Sequence, residues 1–237
     1  MNHPPTADTA RITEIFSSLQ GEGTRLGERH IFVRFEECHM HCNYCDELHK
    51  VGTEMTQAQV LERILELDRA EGPHTFISLT GGEPLLYLVF LKPLIEQLKL
   101  RGYRIYLETS GVLWNSLRDV LSLCDVIAMD MKPASVTGEK NFDQDHRKFL
   151  KLAAARETFV KIVVSKAIDP EEFLAEVKLI AEIAPEMPLI LQPLSADKEG
   201  HEDPVLMNLL SDLQRLASQS LKDVRIVPRL HRILQIK

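Results

Sequence analysis

Short apolar runs alternate with segments of helical period along most of the chain, and this alternation restricts the fold more than any other feature of the sequence. Runs at 30–36, 76–79, 103–107, 126–129, 159–164 and 189–191 read as strands, with a last short one at 224–227. Between them the pattern predicts helices near 57–71, 84–101, 115–123, 143–155, 170–184 and 204–218. Local signals mark several ends. Thr56-Gln57-Ala58-Gln59 is a capping box, Val60, Leu61, Ile64 and Leu65 give its helix an apolar face, and Gly72-Pro73 stops it. Pro84 suits the first turn of the next helix and Gly102 its C-terminal cap. Strands alternating with helices imply a parallel sheet with right-handed crossovers. Six such units are two short of a closed eight-fold barrel. The expected fold is therefore α/β, a partial (open) TIM-type barrel of about six βα units with a parallel sheet. An extended run at 11–16 comes first, and the glycine-punctuated stretch 17–23 after it reads as an ordinary turn. No linker-like or low-complexity stretch divides the chain. Residues 1–10 are expected to be a disordered or loosely attached tail, and 11–237 a single domain.

Bulk properties exclude several classes of function. With 44% hydrophobic and 27% charged residues the chain can build a full core. A net charge of −7 supplies no phosphate-neutralising surface, which argues against direct nucleic-acid binding. No apolar run reaches the length of a membrane span, and the stretch 1–9 lacks the apolar centre of a secretion signal. These features point to the cytoplasm, where clustered cysteines mean metal or redox chemistry rather than disulfides.

Polar residues gather where the predicted strands end. Thr80-Gly81-Gly82-Glu83-Pro84, Glu108-Thr109-Ser110, Asp130-Met131-Lys132, Ser165-Lys166 and Gln192 each follow a different strand. In a barrel-like fold those ends share one face, where active sites are built. The densest group follows the 30–36 run: Cys38-x3-Cys42-x2-Cys45, three of the four cysteines on one loop. Zinc is one reading, with His39, His41 or His49 as fourth ligand, but zinc sites usually have a second distant pair of ligands and none is present. A cubane iron–sulfur cluster is the better reading, because three cysteines leave one iron open to an outside ligand. Cys124, far away in sequence, reads as a buried apolar residue.

The Cys38-x3-Cys42-x2-Cys45 spacing resembles the signature of the radical S-adenosylmethionine superfamily. Gly81-Gly82-Glu83-Pro84 is similar to its methionine-binding element. The stretch from Glu14 through Leu19-Gln20-Gly21-Glu22-Gly23 to Gly27 and Ile31-Phe32-Val33-Arg34-Phe35 resembles the 7-carboxy-7-deazaguanine synthase family. That resemblance implies a [4Fe-4S] cluster on Cys38, Cys42 and Cys45, with S-adenosylmethionine on the open iron. It also implies a carbon–nitrogen lyase of queuosine and other deazapurine biosynthesis, a pathway serving tRNA modification. The substrate would be 6-carboxy-5,6,7,8-tetrahydropterin, which ring-contracts after abstraction of its C6 hydrogen and loses ammonia. Under the same resemblance, Tyr44, Cys45, Asp46, Gly82, Glu83, Glu108, Asp130, Met131, Lys132 and Gln192 would contact S-adenosylmethionine. Leu19, Gln20, Gly21, Arg34, Thr80 and His231 would contact the pterin, Arg34 through its carboxylate. A flavodoxin- or ferredoxin-type donor and a homodimer are implied as well.

Two places depart from the family pattern: Asp130-Met131-Lys132 stands where many members carry Ser-Pro-Lys, and position 47 differs as well. Where members usually carry a threonine or serine that ligates Mg²⁺, this chain has Glu47. A carboxylate can ligate Mg²⁺, but it adds negative charge opposite an anionic substrate. Each residue also has a plainer reading: Arg34 paired with Glu14 or Glu36, Asp130 with Lys132, and His231 as a surface histidine. Two functional alternatives remain open from sequence. One is an activating enzyme that makes a glycyl radical on a protein partner, or a relative acting on a different carboxylated heterocycle. The other is a non-catalytic zinc or cluster module.

Overall fold

The computed structural model describes residues 8–47, 49–194 and 203–236. Its strands are Thr9–Leu19 (β1), Arg29–Phe35 (β2), Thr53–Thr56 (β3), Phe76–Gly81 (β4), Arg104–Thr109 (β5), Val126–Met131 (β6), Glu157–Val164 (β7), Leu189–Pro193 (β8) and Val224–Ile226 (β9). Its α-helices are Gln57–Glu71 (α1), Leu88–Leu100 (α2), Trp114–Val120 (α3), Ala134–Thr137 (α4), Asp143–Ala153 (α5), Pro170–Ile183 (α6), Pro204–Ala217 (α7) and Leu230–Ile233 (α8). All nine strands form one sheet in the order β3-β1-β2-β4-β5-β6-β7-β8-β9. From β2 to β9 every pairing is parallel, and the sheet does not close. Six βα units and a last strand are present, as the alternation predicts.

Two features depart from the expectation. β1 runs antiparallel to β2, with Glu14 opposite Arg34 and Ser17 opposite Ile31. The nine residues that join them are too few for a crossover, so the chain must turn back. The turn is closed by Gln20 N–H to the Glu28 carbonyl (2.7 Å) and Gly27 N–H to the Gln20 carbonyl (2.8 Å). The stretch 17–23 is thus strand as far as Leu19 and turn only afterwards. β3 was not expected at all. It is a short edge strand whose mostly exposed side chains carry no apolar pattern, and it pairs antiparallel with β1 through the backbone. That pairing takes in Thr9 and Ala10, and Ala10 is buried. The last two residues of the expected tail therefore belong to the sheet, while 1–7 lie outside the described residues.

The helix signals act as read. Thr56 and Gln59 cap each other at the start of α1, and Asp169 and Asp203 accept from the first backbone N–H groups of α6 and α7. Pro84 opens a short 3₁₀ turn before α2 rather than α2 itself. Among the described residues, no helix is long and apolar enough to cross a membrane.

Strand alternation divides the core in two. On the helix-facing side, Ile77, Leu79, Ile105, Leu107, Ile127, Met129, Val160 and Ile162 pack against the helices in the large core. On the concave side, Phe76, Tyr106, Val126, Ala128, Phe159 and Ile190 make a smaller apolar floor. Further along those same concave faces the residues turn polar: Arg34 on β2, Thr80 on β4, Glu108 on β5, Asp130 on β6, Lys161 on β7 and Gln192 on β8. The period of two is unbroken, so the polar groups rise directly above the apolar floor at the carboxyl ends of the strands.

His30 belongs to that floor. Its fully buried ring stacks on Phe76 (centroids 4.9 Å apart), stands edge-on to Tyr106, and its Nδ1 lies 2.8 Å from Ser78 Oγ. Burial drives its pKa down to about 4 from 6.5, against the partial support of Glu28. The folded state then binds fewer protons than the unfolded state between those values. The neutral ring's contribution is complete above pH 6.5 and is lost as pH falls toward 4, to the extent of about 3 kcal/mol at most. His30→Asn keeps a polar group opposite Ser78 without the titration. Chemical denaturation between pH 4 and 7 should show a shallower rise of stability with pH in this variant than in the wild type.

Candidate active site

The cysteine loop leaves β2 and is held by the exit of β4. Gly82 N–H donates to the Phe35 carbonyl and Glu83 N–H to the Glu37 carbonyl, each at 2.7 Å. This apposition requires glycine. A Cβ on Gly82 would overlap the Glu37 carbonyl oxygen, and one on Gly81 would overlap the Phe35 backbone, where Gly81 has φ +104°. Glu83 carries the connection one strand further. Its carboxylate is fully buried and accepts from Thr109 Oγ1 (2.9 Å), Ser110 N–H (2.8 Å) and Ser110 Oγ (2.6 Å). It ties the exit of β4 to that of β5.

Cys38, Cys42 and Cys45 are free thiols that line one cavity of about 860 Å³ at the carboxyl end of the sheet. Burial pushes Cys38 up to about 11 and raises Cys42, while Lys132 works in the opposite direction on both. A positive metal centre would supply the charge that makes them thiolates. Among the described residues, the three sulfurs are not grouped within 4.8 Å of one another, and no two of them form such a group with a histidine nitrogen. Tetrahedral zinc with Zn–S bonds of 2.3 Å holds its sulfurs about 3.8 Å apart. The wider spread suits a cluster, whose cysteines bind different irons. The cavity also leaves a polar atom set without partners: both ring nitrogens of His39, buried within the loop. Cys124 is buried elsewhere, under the helices, as expected.

A chain of mostly half-buried charges runs along the cavity wall. Lys161 Nζ contacts Glu22 Oε2 (2.5 Å) and Asp130 Oδ1 (3.2 Å). The other Asp130 oxygen accepts from Lys132 Nζ at 2.9 Å. Gln192, with its amide oriented to satisfy both neighbours, donates to Glu22 Oε2 (3.1 Å) and accepts from Arg229 Nε (3.2 Å). Arg229 and Arg232 both reach Asp46 Oδ2, at 3.3 and 2.8 Å. Burial alone would raise the Glu22 carboxyl, but Lys161 and Arg229 outweigh it and hold the group at about 2. Burial would lower Lys161, but Asp130, Glu22 and Glu108 outweigh it and raise the ammonium above its ordinary range. Glu108 goes the other way: burial, reinforced by Glu22, raises it, while Lys161 and hydrogen bonds from Thr80 and Gln20 oppose the rise.

Leu19, Gln20, Gly21, Arg34, Thr80 and His231 all line this cavity. The C-terminal segment comes back to it: Leu230 N–H donates to the Gly21 carbonyl (2.9 Å), and the His231 ring occupies the space a Gly21 side chain would need. His231 is thus a wall residue rather than a surface histidine, and the glycine at 21 serves a close approach. Gly23, with φ +69°, leaves room for the Phe159 ring in the same way. Tyr44, Cys45, Asp46, Gly82, Asp130, Lys132 and Gln192, expected around the cofactor, also line the cavity.

Two assignments change. Met131 does not face the cavity; strand alternation puts it into the helix-facing core. Glu83 lies beneath the cavity wall with its carboxylate engaged by Thr109 and Ser110, so it supports the site rather than lining it. Glu108 lines the cavity, where it is hydrogen-bonded to Thr80 Oγ1 (2.6 Å) and Gln20 Nε2 (3.0 Å).

Arg34 is engaged as well. Its Nη1 meets Glu47 Oε1 at 2.9 Å, Glu14 lies 3.5 Å from Nε, and the guanidinium sits over the Phe16 ring. Glu36, the other partner considered, pairs with Arg11. Lys50 joins Glu47 Oε1 at 2.8 Å, whereas Glu47 Oε2 is buried without a partner.

Sequence reasoning passed over Glu22, Lys161 and Arg229. Lys161 carried a signal, a charge inside the apolar run Phe159-Val160-Lys161-Ile162. Arg229 carried none, because only the return of the C-terminal segment brings it here.

A sheet open at one side, with a three-cysteine loop after its first parallel strand and a glycine-pair exit holding that loop, defines a radical S-adenosylmethionine fold. The Radical SAM superfamily model matches residues 32–137. The 7-carboxy-7-deazaguanine synthase of Geobacter sulfurreducens is 34% identical, over 95% of this chain and 97% of its own length. The one from Methanopyrus kandleri is 32% identical over 94% and 92%. The crystal structure of QueE from Escherichia coli superposes with a TM-score of 0.60 at 19% identity, covering 92% of this chain and 93% of that one. The chain belongs to the 7-carboxy-7-deazaguanine synthase family.

Lys161→Met would leave Glu22 and Asp130 buried with less compensation. Breaking such a pair from one side typically costs about 3 kcal/mol or more. Because Glu22 is held low, the stabilisation is present above its ordinary value of 4.5 and disappears as pH falls toward 2. Urea denaturation should show a large deficit for Lys161→Met at pH 7, narrowing steadily below pH 4.5.

Proposed function

We propose that this protein converts 6-carboxy-5,6,7,8-tetrahydropterin to 7-carboxy-7-deazaguanine with loss of ammonia. The observation that carries the reading is the meeting, in one cavity, of three cluster-type cysteines with the Arg34 guanidinium and the Gln20–Glu108–Thr80 hydrogen-bonded set. When bound, the [4Fe-4S] cluster and S-adenosylmethionine supply the reducing electron and the abstraction of hydrogen.

The chain's own residues bind and orient. Cys38, Cys42 and Cys45 would hold the cluster, with buried Lys132 beside the thiolates. His39, lacking partners for both ring nitrogens, offers polar contacts to the cofactor, together with Tyr44, Asp46, Gly82, Asp130 and Gln192. Glu108 is suited to the pterin ring. A buried carboxylate accepts from the adjacent N–H groups of an aminopyrimidinone, while Gln20 and Thr80 fix its orientation. Leu19, Gly21 and His231 close the wall around the ring. Arg34 receives the substrate carboxylate, and Phe16 under the guanidinium sets its plane.

Glu47 offers a carboxylate ligand for a metal at this position. Its Oε1 pairs with Arg34 and Lys50, which Glu14 also approaches, and the buried Oε2 has lone pairs to spare. Mg²⁺ often takes a single carboxylate and fills its shell with water and substrate oxygens. A Mg²⁺ ion on Oε2 would hold Glu47 and the substrate carboxylate together and relieve their repulsion. A flavodoxin- or ferredoxin-type reductant, a homodimer and a cytoplasmic location accompany this reading.

Anaerobic incubation with reductant, S-adenosylmethionine and 6-carboxytetrahydropterin should yield a product of the mass of 7-carboxy-7-deazaguanine. Cleavage of S-adenosylmethionine without that product would sink the substrate assignment. Turnover should rise with Mg²⁺. Glu47→Thr should keep that dependence, and Arg34→Lys should raise KM for the carboxylated substrate about tenfold, from loss of the forked pairing.

A further inference from the structure

Away from the cavity, between α5 and α6, three metal-ligating side chains converge. Asp143 and His146 are three residues apart on α5 and so share a face, and Glu176 faces them from α6. One oxygen of each carboxylate and one ring nitrogen of the histidine all lie within 4.8 Å of one another. His146 is 1% exposed and Glu176 2%. Both present a buried atom with no hydrogen-bond partner, Nδ1 of His146 and Oε2 of Glu176. Leaving two such atoms unpaired side by side is costly, and native interiors rarely do so.

The tautomer of His146 is set by its other nitrogen. Nε2 lies 3.3 Å from the Ser110 carbonyl oxygen, which can only accept, so Nε2 carries the hydrogen and the buried, unpartnered Nδ1 keeps a free lone pair. A ring held through one nitrogen by a backbone carbonyl, with the other free, is the usual arrangement of a metal-bound imidazole. Two anionic carboxylates and a neutral imidazole carry the charge that one divalent cation cancels. Asp143, only partly buried, leaves a way in from solvent.

We propose that Asp143, His146 and Glu176 form a binding site for one divalent transition-metal ion such as Zn²⁺, distinct from the cluster, with water completing the coordination. The ion would fix α5 to α6. Through His146 it would also hold Ser110, whose N–H and hydroxyl are donors to Glu83 beneath the cavity wall. The site is structural and takes no part in turnover chemistry.

The test uses the anaerobically reconstituted holoprotein, dialysed after exposure to Zn²⁺, with metal analysis and thermal midpoints in the presence of chelator or added Zn²⁺. The wild type should retain one zinc per chain beyond its irons and melt several degrees higher with the ion than with chelator. His146→Gln keeps a donor for the Ser110 carbonyl but removes the Nδ1 ligand, and Glu176→Gln keeps the volume but removes the charge. Each should weaken zinc retention tenfold or more and abolish the metal-dependent melting shift, whereas Glu47→Gln should leave both intact. Wild type that retains no zinc and melts identically in chelator would overturn the proposal, pointing to a proton on Glu176 as what fills the gap. Equal zinc retention in wild type, His146→Gln and Glu176→Gln would overturn it too. Neither readout depends on the substrate, so failure here is separable from failure of the proposed activity.

Discussion

Lys161 is the charge on which the cavity rests. It projects from the middle of β7 into a space that also holds Glu22, Asp130 and Glu108, and it contacts the first two directly. Without a cation at that point, Glu22 and Glu108 would be buried with less compensation, and burial would drive them toward binding protons. With it, Glu22 stays ionised and can pair with Arg229 and Gln192, which draws the C-terminal segment over the turn after β1. Glu108 is left as the carboxylate that burial raises, held by hydrogen bonds from Gln20 and Thr80. A single ammonium thus separates the roles of neighbouring acids, by distance alone.

The backbone does comparable work on the cluster side. The two glycines at 81 and 82 make room for the protein's own backbone as well as lining the cavity. They allow the exit of β4 to lie directly against the chain leading into the cysteine loop, close enough for two backbone hydrogen bonds. Glu83 then fastens that joint to β5 from below. The loop that must carry a cluster is therefore fixed at its root by hydrogen bonds that need no metal, and only the thiols themselves await one.

Arg34 and Glu47 show how a cation and a carboxylate at the cavity wall are balanced. A carboxylate at 47 paired with Arg34 would compete with any other carboxylate for that guanidinium. The structure meets this with Lys50, which shares the Glu47 oxygen that Arg34 uses, and with the second oxygen left bare in the interior. With Glu14 also near Arg34 and Lys50, two cations face two carboxylates and the charges of this corner balance.

Much of this molecule is determined by the sequence alone. The alternation of strands and helices, the cysteine spacing, the capping box at Thr56 and the polar residues after each strand are local patterns, set by side-chain period and turn chemistry within a few residues. They suffice for the open parallel sheet, the cluster loop, and the side of the sheet on which Thr80, Asp130 and Gln192 stand. What the tertiary structure decided depends on contacts between distant residues. Only packing shows that β3 pairs with β1, that Glu83 is buried as a tie, that Arg229 and His231 close a wall begun by Gly21, and that Asp143 and His146 meet Glu176. Pairing energies between charges depend on distance in space, and a sequence records only distance along the chain.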